Sequence, residues 1–291
     1  MRAVKLLLIF LICFPAFSGV KAVRSATNPA TSIGADGKIN LVTTSNTPRT
    51  KNYYDTTGFH LLSGVLKEVE STNYLLNTFF SIDTGSDGSA NSWTFTAAHT
   101  KTLETCAINN ITNGKSQKVA YTFAAEATRY SNAMSQGTAN DSFDASGGNI
   151  NITLSFWARG DLTGLTTGAT STANYWVGMN ENNNTGTFQK NPFTTRKLSE
   201  AATDGLDDTE WRRFEFQGTV TDTDTRKLGL LFCYFGAADG SRPTTGESFW
   251  IEIYGVQIEK QTTCTSFIPT TTAVLTRNAE TFSNPLFIMG D

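Results

Sequence analysis

The sequence predicts an all-β protein built as an antiparallel β-sandwich or a jelly roll. In segment 150–158 the even-numbered residues are all apolar, and this period of two is typical of a strand with one buried face. Phe214 and Phe216 alternate with charged neighbours in the same way. Several strands joined by polar turns indicate two packed sheets. The turn clusters, rich in Gly, Asn, Asp and Ser, lie at 83–88, 145–148, 182–186 and 237–241.

The N-terminus has the pattern of a secretory signal peptide. Arg2 and Lys5 form a basic region, and the apolar run Leu6–Phe17 is too short to span a bilayer, which argues against a retained membrane anchor. A small-residue cleavage site ends at Ala22. We therefore expect Val23 to be the first residue of an exported chain that has no membrane segment after cleavage.

The central strands follow in chain order. Segment 123–130 fits either a short helix or a continuation of the strand that begins near Val119. Segments 150–158 and 213–216 are half-buried strands. The run 228–234 is almost entirely apolar, so its Cys233 is predicted to be a buried thiol.

Segment 249–259 is the most strongly β-forming stretch of the chain. Its odd-numbered apolar residues from position 249 to 253 point to one side, while Trp250, Glu252 and Tyr254 point to the other. A short β-prone segment follows and contains Pro269. Because proline cannot donate to a sheet, this segment suits an edge or an exit from the sheet.

The composition describes a weakly charged polar surface. The chain has 291 residues, and charged residues make up 17%, below the usual quarter of a soluble domain. The formal net charge of -3 gives no electrostatic footprint for nucleic acid or for an anionic membrane. The sequence contains no internal repeat, and its length suits one large sandwich.

The end of the long strand resembles a known motif. Gly255-Val-Gln-Ile-Glu259 followed by Thr265-Ser-Phe-Ile-Pro-Thr-Thr271 is similar to the end of a β-sandwich module of bacteriophage tail and other virion proteins. In that module, Gly-x-Gln-Leu-Glu precedes Thr-Ser-Tyr-Ile-Pro-Thr-Thr. The similarity extends from about Arg24 to Thr281. Other segments that match the module, in the same order, are 32–39, 46–49, 54–58, 64–77, Trp93, 151–159 and 210–216.

The resemblance implies the domain layout. It predicts a jelly roll of the concanavalin-like and carbohydrate-binding-module-like type at 66–283. An extended lead-in at 23–65 would pack on this sandwich, after a signal peptide at 1–22. An apolar tail would occupy 284–291.

The resemblance also implies a carbohydrate-binding surface. Such modules stack sugar rings on Trp or Tyr, while amides and acids bind the hydroxyls. The matching candidates are Tyr175 and Trp176, which precede Asn180 and Glu181. The alternative is that Trp176 is a core ring and Tyr175 a rim residue. The other tryptophans lie in strand-like segments and are predicted to be in the core: Trp93, Trp157, Trp211 and Trp250.

The sequence offers little for catalysis, so we predict that the protein is not an enzyme. His60 and His99 are its two histidines, and neither lies in a nucleophile motif. A glycosidase needs two carboxylates across a cleft, which spacing in sequence cannot reveal. Glu252 faces outward with Trp250 and is expected to be a solvated partner of a Lys or Arg.

Cysteine pairing and metal binding are weakly specified. With Cys233 assigned to the core, Cys106 and Cys264 are the predicted disulfide. No cofactor is predicted. A structural calcium ion is compatible with three aspartates in Gly-rich turns, although their spacing is not that of a calcium loop and surface turns explain them equally well. These aspartates are Asp83, Asp87 and Asp239.

The function predicted from these observations is non-catalytic binding of a glycan or a cell surface, outside the cell or on a virion. The alternative is a structural subunit that assembles with copies of itself or with virion proteins. In that case the apolar tail at 284–291 would complement a neighbouring sheet edge. A polysaccharide-degrading enzyme is a third alternative, and neither nucleic acid nor a membrane is an expected partner.

Overall fold

The regular elements of the protein are β-strands. In a computed structural model, every element among the described residues is a strand, and no helix there is long and apolar enough to cross a membrane. The described residues are 22–23, 30–33, 36, 38–42, 53–55, 58–60, 68–96, 99–125, 131–138, 143–165, 176–183, 185–190, 192, 196–197, 206–235, 243–277 and 281–282. The strands are β1 (Ala22–Val23), β2 (Ala30–Ile33), β3 (Ile39–Val42), β4 (Tyr53–Asp55), β5 (Gly58–His60), β6 (Ser71–Asn73), β7 (Thr94–Phe95), β8 (Thr100–Thr105), β9 (Lys115–Thr122), β10 (Ser131–Gly137), β11 (Ile150–Asp161), β12 (Trp176–Asn182), β13 (Phe188–Lys190), β14 (Arg196–Lys197), β15 (Arg212–Val220), β16 (Lys227–Phe235), β17 (Ser248–Glu259), β18 (Leu275–Arg277) and β19 (Thr281–Phe282).

Two antiparallel sheets form the sandwich. The six-stranded sheet has the order β13-β12-β16-β10-β7, with β14 also paired to β12. The five-stranded sheet has the order β15-β11-β17-β9-β8. From β9 to β12 the chain changes sheet at every strand, and it does so again through β15, β16 and β17. This repeated crossing is the jelly-roll arrangement, so the predicted fold class is confirmed.

The main core lies between the two sheets. Phe156 of β11 meets Phe232 of β16 edge to face, with ring centroids 4.9 Å apart. Phe156 also stacks on Phe214 of β15 at 5.4 Å, and Trp93 lies 6.2 Å from Phe232. The even-numbered residues of 150–158 that the period of two assigned to one face therefore do face a core.

A second hydrophobic cluster covers part of the outer face of the five-stranded sheet. Trp157 of β11 and Tyr254 of β17 project outward and pack on Phe267, at centroid distances of 6.0 and 5.7 Å. Ile33 and Ile39, from the β2–β3 hairpin, belong to the same cluster. The middle of this sheet is thus buried on both faces.

A β-bulge at Gly255 changes which residues of β17 face the main core. Before the bulge the odd-numbered apolar residues face it, as predicted, and after the bulge Val256 and Ile258 do. Gly255 has φ +64°, and a Cβ there would lie 2.7 Å from the Trp157 ring. A side chain at position 255 would therefore be strained and would also collide with that ring. The pairing register with β11 shifts at the same level.

Segment 73–78 completes the edge of β17 that lies beyond the bulge. β9 pairs only with the first half of β17. The Tyr74 amide donates to the Ile258 carbonyl at 3.1 Å, and the Val256 amide donates to the Thr78 carbonyl at 3.2 Å. Backbone groups that would otherwise form an open edge are thereby satisfied.

The segment after β17 folds back and is held by buried polar side chains. The side-chain Nδ2 of Asn73 donates to the Ile268 carbonyl at 2.9 Å. The backbone amide of Ile268 donates to Gln257 Oε1 at 2.6 Å. Glu259 Oε2 accepts from the Thr265 amide at 3.0 Å. Asn73, Gln257 and Glu259 are each 0% exposed. A buried polar group without a partner costs about 1–3 kcal/mol, so these bonds fix the path of the segment.

A buried ion pair joins the same two parts of the chain. Arg277 Nη1 lies 2.9 Å from Glu68 Oε2, and their side chains are 1% and 9% exposed. Arg277 also donates to Ser266 Oγ at 2.8 Å and to the Val69 carbonyl at 3.2 Å. We call Glu68, Asn73, Glu259, Ser266 and Arg277 the polar clasp.

The predicted lead-in contacts the sandwich where it is described. Thr31 Oγ1 donates to the Phe267 carbonyl at 2.7 Å, and the Ile39 amide donates to the Ile108 carbonyl at 2.7 Å. Residues 1–21 of the predicted signal peptide and the tail at 284–291 lie outside the described residues. The three boundaries between the four predicted segments therefore stay predictions.

Replacing Phe156 with Ala should lower the free energy of unfolding by about 3–5 kcal/mol, because it opens a cavity between the sheets. The matched control is Phe188→Ala, whose side chain is 54% exposed and whose change should stay within about 0.5 kcal/mol. Urea unfolding measures both variants. Equal effects at the two positions would contradict the assigned core.

Arg277→Met should lower the free energy of unfolding by about 3–5 kcal/mol, because it leaves the carboxylate of Glu68 buried without its cation. The double variant with Glu68→Met should be more stable than the sum of the single losses predicts. A urea double-mutant cycle measures this coupling. Additive losses would show that the two side chains do not interact.

Candidate functional site

The predicted binding residues lie on or next to β12, in the six-stranded sheet. Tyr175 is outside the described residues, and only the backbone of Trp176 is described, at the start of the strand. Asn180 is partly exposed on the outer face. Alternation along β12 places Val177 and Met179 in the main core, so Asn180 faces away from it.

Glu181 does not belong to that outer surface, which corrects the prediction. Its side chain is 0% exposed, because the strand period turns position 181 inward. Its Oε2 accepts from the Asp222 amide at 3.2 Å and from Thr225 Oγ1 at 3.0 Å. Glu181 therefore holds the turn between β15 and β16 and is not available to a ligand.

Glycines form the floor of the outer face beside Asn180. Asn180 pairs with Gly229 of β16, which pairs with Gly137 of β10. A Cβ on Gly137 would lie 2.4 Å from Cε of Lys227, so the lysine chain lies across that glycine. A Cβ on Gly229 would lie 3.2 Å from Nδ2 of Asn182. Small residues thus leave a shallow shelf bordered by amides and one ammonium group.

An exposed aromatic ring stands at the edge of this shelf. Phe188 of β13 is 54% exposed and pairs with Asn182 of β12. The turn before it is ordered by Asn183, whose Oδ1 accepts from the amides of Thr185 and Thr187 at 3.1 and 2.9 Å. Sequence reasoning missed Phe188, although a lone Phe inside the polar run 182–190 is a usable signal. We call Asn180, Asn182, Phe188, Lys227 and Gly229 the amide shelf.

The remaining tryptophans divide into two groups. Trp93, Trp157 and Trp211 are buried, at 7%, 1% and 5% exposure, as predicted. Trp250 is partly exposed and lines a surface cleft, so its assignment to the core was wrong. It lies on the outer face of β17, beyond the region that the second hydrophobic cluster covers.

The two conspicuous carboxylates of β17 are used inside the protein. Glu252 is 1% exposed and accepts from Arg159 Nε at 2.8 Å and from Ser116 Oγ. The expected arginine partner is present, but the expectation that Glu252 is exposed to solvent was wrong. Glu259 accepts from Ser71 Oγ and from Thr265 Oγ1. Neither arrangement resembles a pair of acids facing each other across an open cleft.

The aspartates considered for calcium act in surface turns. Asp83 Oδ2 accepts from the Gly88 amide at 3.1 Å, and Asp87 Oδ1 accepts from the Ser89 amide at 2.9 Å. The bonds from Ser89 hold the pKa of Asp87 below its usual value. Asp239 lies outside the described residues. Within the described part of the chain, no group of three His, Cys, Asp or Glu side chains is placed to hold a metal ion.

The predicted disulfide is not formed, because Cys106 and Cys264 are both free thiols. Cys106 follows β8, at one edge of the five-stranded sheet, and is buried in the second hydrophobic cluster. Cys264 contacts the Leu154 carbonyl on β11 at 3.8 Å. In the order of the sheet, β11 is three strands away from β8, which Cys106 follows. Burial raises the pKa of the Cys264 thiol to about 12, and it raises the pKa of Cys106 as well. The side chain of Cys233 is outside the described residues.

His99 lies behind the cleft that Trp250 lines. Its ring is 4.5 Å from Tyr121 and 5.8 Å from Phe249, and its Nδ1 is 3.2 Å from the Thr96 carbonyl. Desolvation in this aromatic surrounding lowers the pKa of His99 below its ordinary 6.5.

The comparisons with known proteins concern the fold. No protein-family model and no curated protein matches the chain. The chain is similar to the CBM22-1 xylan-binding domain of Paenibacillus barcinonensis Xyn10C, at 12% identity over 67% of this chain and 94% of that domain, with a TM-score of 0.33. It is similar to the non-crystalline cellulose specific carbohydrate-binding module CBM28, at 14% identity over 68% and 99%, with a TM-score of 0.35.

A phage protein is also among the similar structures. The enzymatically active domain of tailspike protein 4 of bacteriophage CBA120 matches at 12% identity over 64% of this chain, with a TM-score of 0.37. The chain spans 21% of that protein's length.

His99→Phe should flatten the dependence of stability on pH between about pH 7.5 and 5. Because the folded pKa of His99 lies below the unfolded value of 6.5, the unfolded chain binds the proton more readily, and stability falls as the pH drops below 6.5. Urea midpoints across this range measure the effect. The control is Leu41→Ala, at an exposed side chain that does not titrate, which should keep the slope of the parent. An unchanged slope in His99→Phe would contradict the assignment.

Proposed function

We propose that this protein is a non-catalytic carbohydrate- or cell-surface-binding jelly-roll module that works outside the cell or on a virion. The observation that carries the proposal is the exposed ring of Phe188 beside the amides of Asn180 and Asn182. The amide shelf combines an apolar stacking surface with hydrogen-bonding groups on a flat, glycine-floored sheet.

The chemistry of the shelf suits a sugar. The carbon-bound hydrogens on one face of a pyranose ring pack on an aromatic ring, and its hydroxyl groups both donate and accept hydrogen bonds. Asn180 and Asn182 offer both roles, and Lys227 adds donors. Tyr175 and Trp176, the aromatic pair that the sequence resemblance implied, stay predicted members of this site.

Rigid placement of the shelf favours binding. Asn180 and Asn182 stand on a strand that is paired on both sides, and the Asn183 turn orders the approach to Phe188. Side chains held before the ligand arrives lose less conformational entropy on binding. The absence of catalysis in this proposal rests on Glu252 and Glu259, whose oxygens are engaged by internal donors.

Phe188→Ala should weaken binding to a responsive polysaccharide about tenfold, since it removes the stacking surface, and a tenfold loss corresponds to about 1.4 kcal/mol. Asn180→Ala should also weaken binding. A glycan array identifies the sugar class, and titration calorimetry with that oligosaccharide gives the affinities. Released reducing ends, measured in parallel, would reveal catalysis.

The matched control is Leu41→Ala on β3, an exposed apolar residue at 40% exposure on another element. It should bind like the parent protein. A parent protein that binds no glycan and forms oligomers in light scattering would contradict the proposal and favour the self-assembling structural subunit.

A further inference from the structure

A cleft opens on the outer face of the five-stranded sheet, on the opposite side of the sandwich from the amide shelf. One row of paired residues crosses four neighbouring strands there: Asp161 on β11, Trp250 on β17, Ala120 on β9 and Thr100 on β8. The cleft has a volume of about 320 Å³, at the lower end of the range of roughly 300–1,000 Å³ for small-molecule sites.

The floor of the cleft is an aromatic ring with room beside it. Trp250 is partly exposed, and its neighbour Ala120 is too small to cover the indole. Lys118 Nζ lies over one face of the ring, 4.6 Å from its centre. The cross-strand neighbour of Lys118 is Glu252, which is engaged by Arg159 at 2.7 Å.

The wall of the cleft is built before any ligand binds. A Cβ on Gly164 would lie 2.6 Å from the Ser248 carbonyl oxygen, so glycine is needed for this close approach. The Ser248 amide donates to the Gly164 carbonyl at 3.2 Å. Asp161 Oδ1 accepts from the Thr163 amide at 2.8 Å and from Thr163 Oγ1 at 2.6 Å, which fixes the carboxylate at the rim.

Polar groups surround the ring on several sides. Hydroxyl groups of Thr100, Thr122 and Ser248 line the cleft together with the carboxylate of Asp161. Lys118, beside the cleft on the Trp250 ring, carries a charge opposite to that of Asp161, so the two charges together do not favour an ionic ligand.

We propose that this Trp250 cleft is a second glycan-binding site, which holds one neutral pyranose residue of a polysaccharide. The apolar face of the sugar packs on the indole face opposite Lys118, and its hydroxyls bond to Asp161 and to the hydroxyl groups of the wall. This goes beyond the proposed function, because it adds a site on the other sheet. A protein that binds sugar chains on opposite faces bridges two polysaccharide chains.

The test is a titration of the full chain, followed by NMR of its indole N–H groups. The probes are hexaoses of glucose, xylose and mannose, with trigalacturonate as the anionic comparison. The Trp250 resonance is assigned by its loss in Trp250→Phe. At least one neutral hexaose should shift this resonance, and the shift should persist in Phe188→Ala, in which the amide shelf is disabled.

Asp161→Asn is the sharpest variant, because an asparagine oxygen still accepts both bonds from Thr163 and the turn is kept. It should raise the concentration of hexaose needed for half of the Trp250 shift about tenfold. Glu104→Gln, on the same face of β8 but outside the cleft, should leave that concentration unchanged. Unchanged thermal unfolding of both variants confirms that they are folded.

Three results would overturn the proposal. The first is that no neutral hexaose shifts the Trp250 resonance, and the second is that only trigalacturonate does. The third is that Phe188→Ala abolishes the shift, which would place all binding on the amide shelf. The first two results say nothing about the amide shelf. Binding at the amide shelf is decided separately, by calorimetry of the parent protein with the sugar that the glycan array identifies.

Discussion

The fold depends on the polar clasp that joins the segment before the sandwich to the segment after it. Asn73 donates to the Ile268 carbonyl and accepts from the Ile258 amide, while Glu68 and Arg277 form a buried ion pair beside it. Each of these groups is removed from water, so each must keep its partner or destabilise the fold. The clasp therefore fixes one path for both segments, and this path closes the edge of β17.

The bulge at Gly255 is the second constraint, and it depends on the clasp. Tyr254 faces the second hydrophobic cluster by ordinary alternation, and the bulge after it brings Val256 to the main core. The single strand β17 thus contributes side chains to both hydrophobic clusters. Because β9 stops pairing before the bulge, segment 73–78 satisfies the backbone on that edge of β17 beyond it. The same sheet is free of the second cluster near Trp250, and that is where the cleft opens.

Several parts of the fold could be predicted from local pattern. The period of two in 150–158 and the opposite faces of 249–254 depend only on strand geometry, and both agree with the structure. The assignment of Glu181 to a binding surface was wrong. In a short strand the sequence alone does not show which alternate residues face the core. The disulfide failed because Cys106 and Cys264 contact different strands, and this separation depends on sheet order.

The sequence by itself determined the strand content, the jelly-roll class, and a motif around 255–271 that supplies Glu259 and Ser266 to the clasp. The sequence shows the acid at Glu259, but its partner Ser71 lies 188 positions away. Only the tertiary structure decided which polar residues are buried and which aromatic rings meet solvent. Exposure of Phe188 and Trp250 depends on what the neighbouring strands leave uncovered, and sequence alternation carries no information about such neighbours.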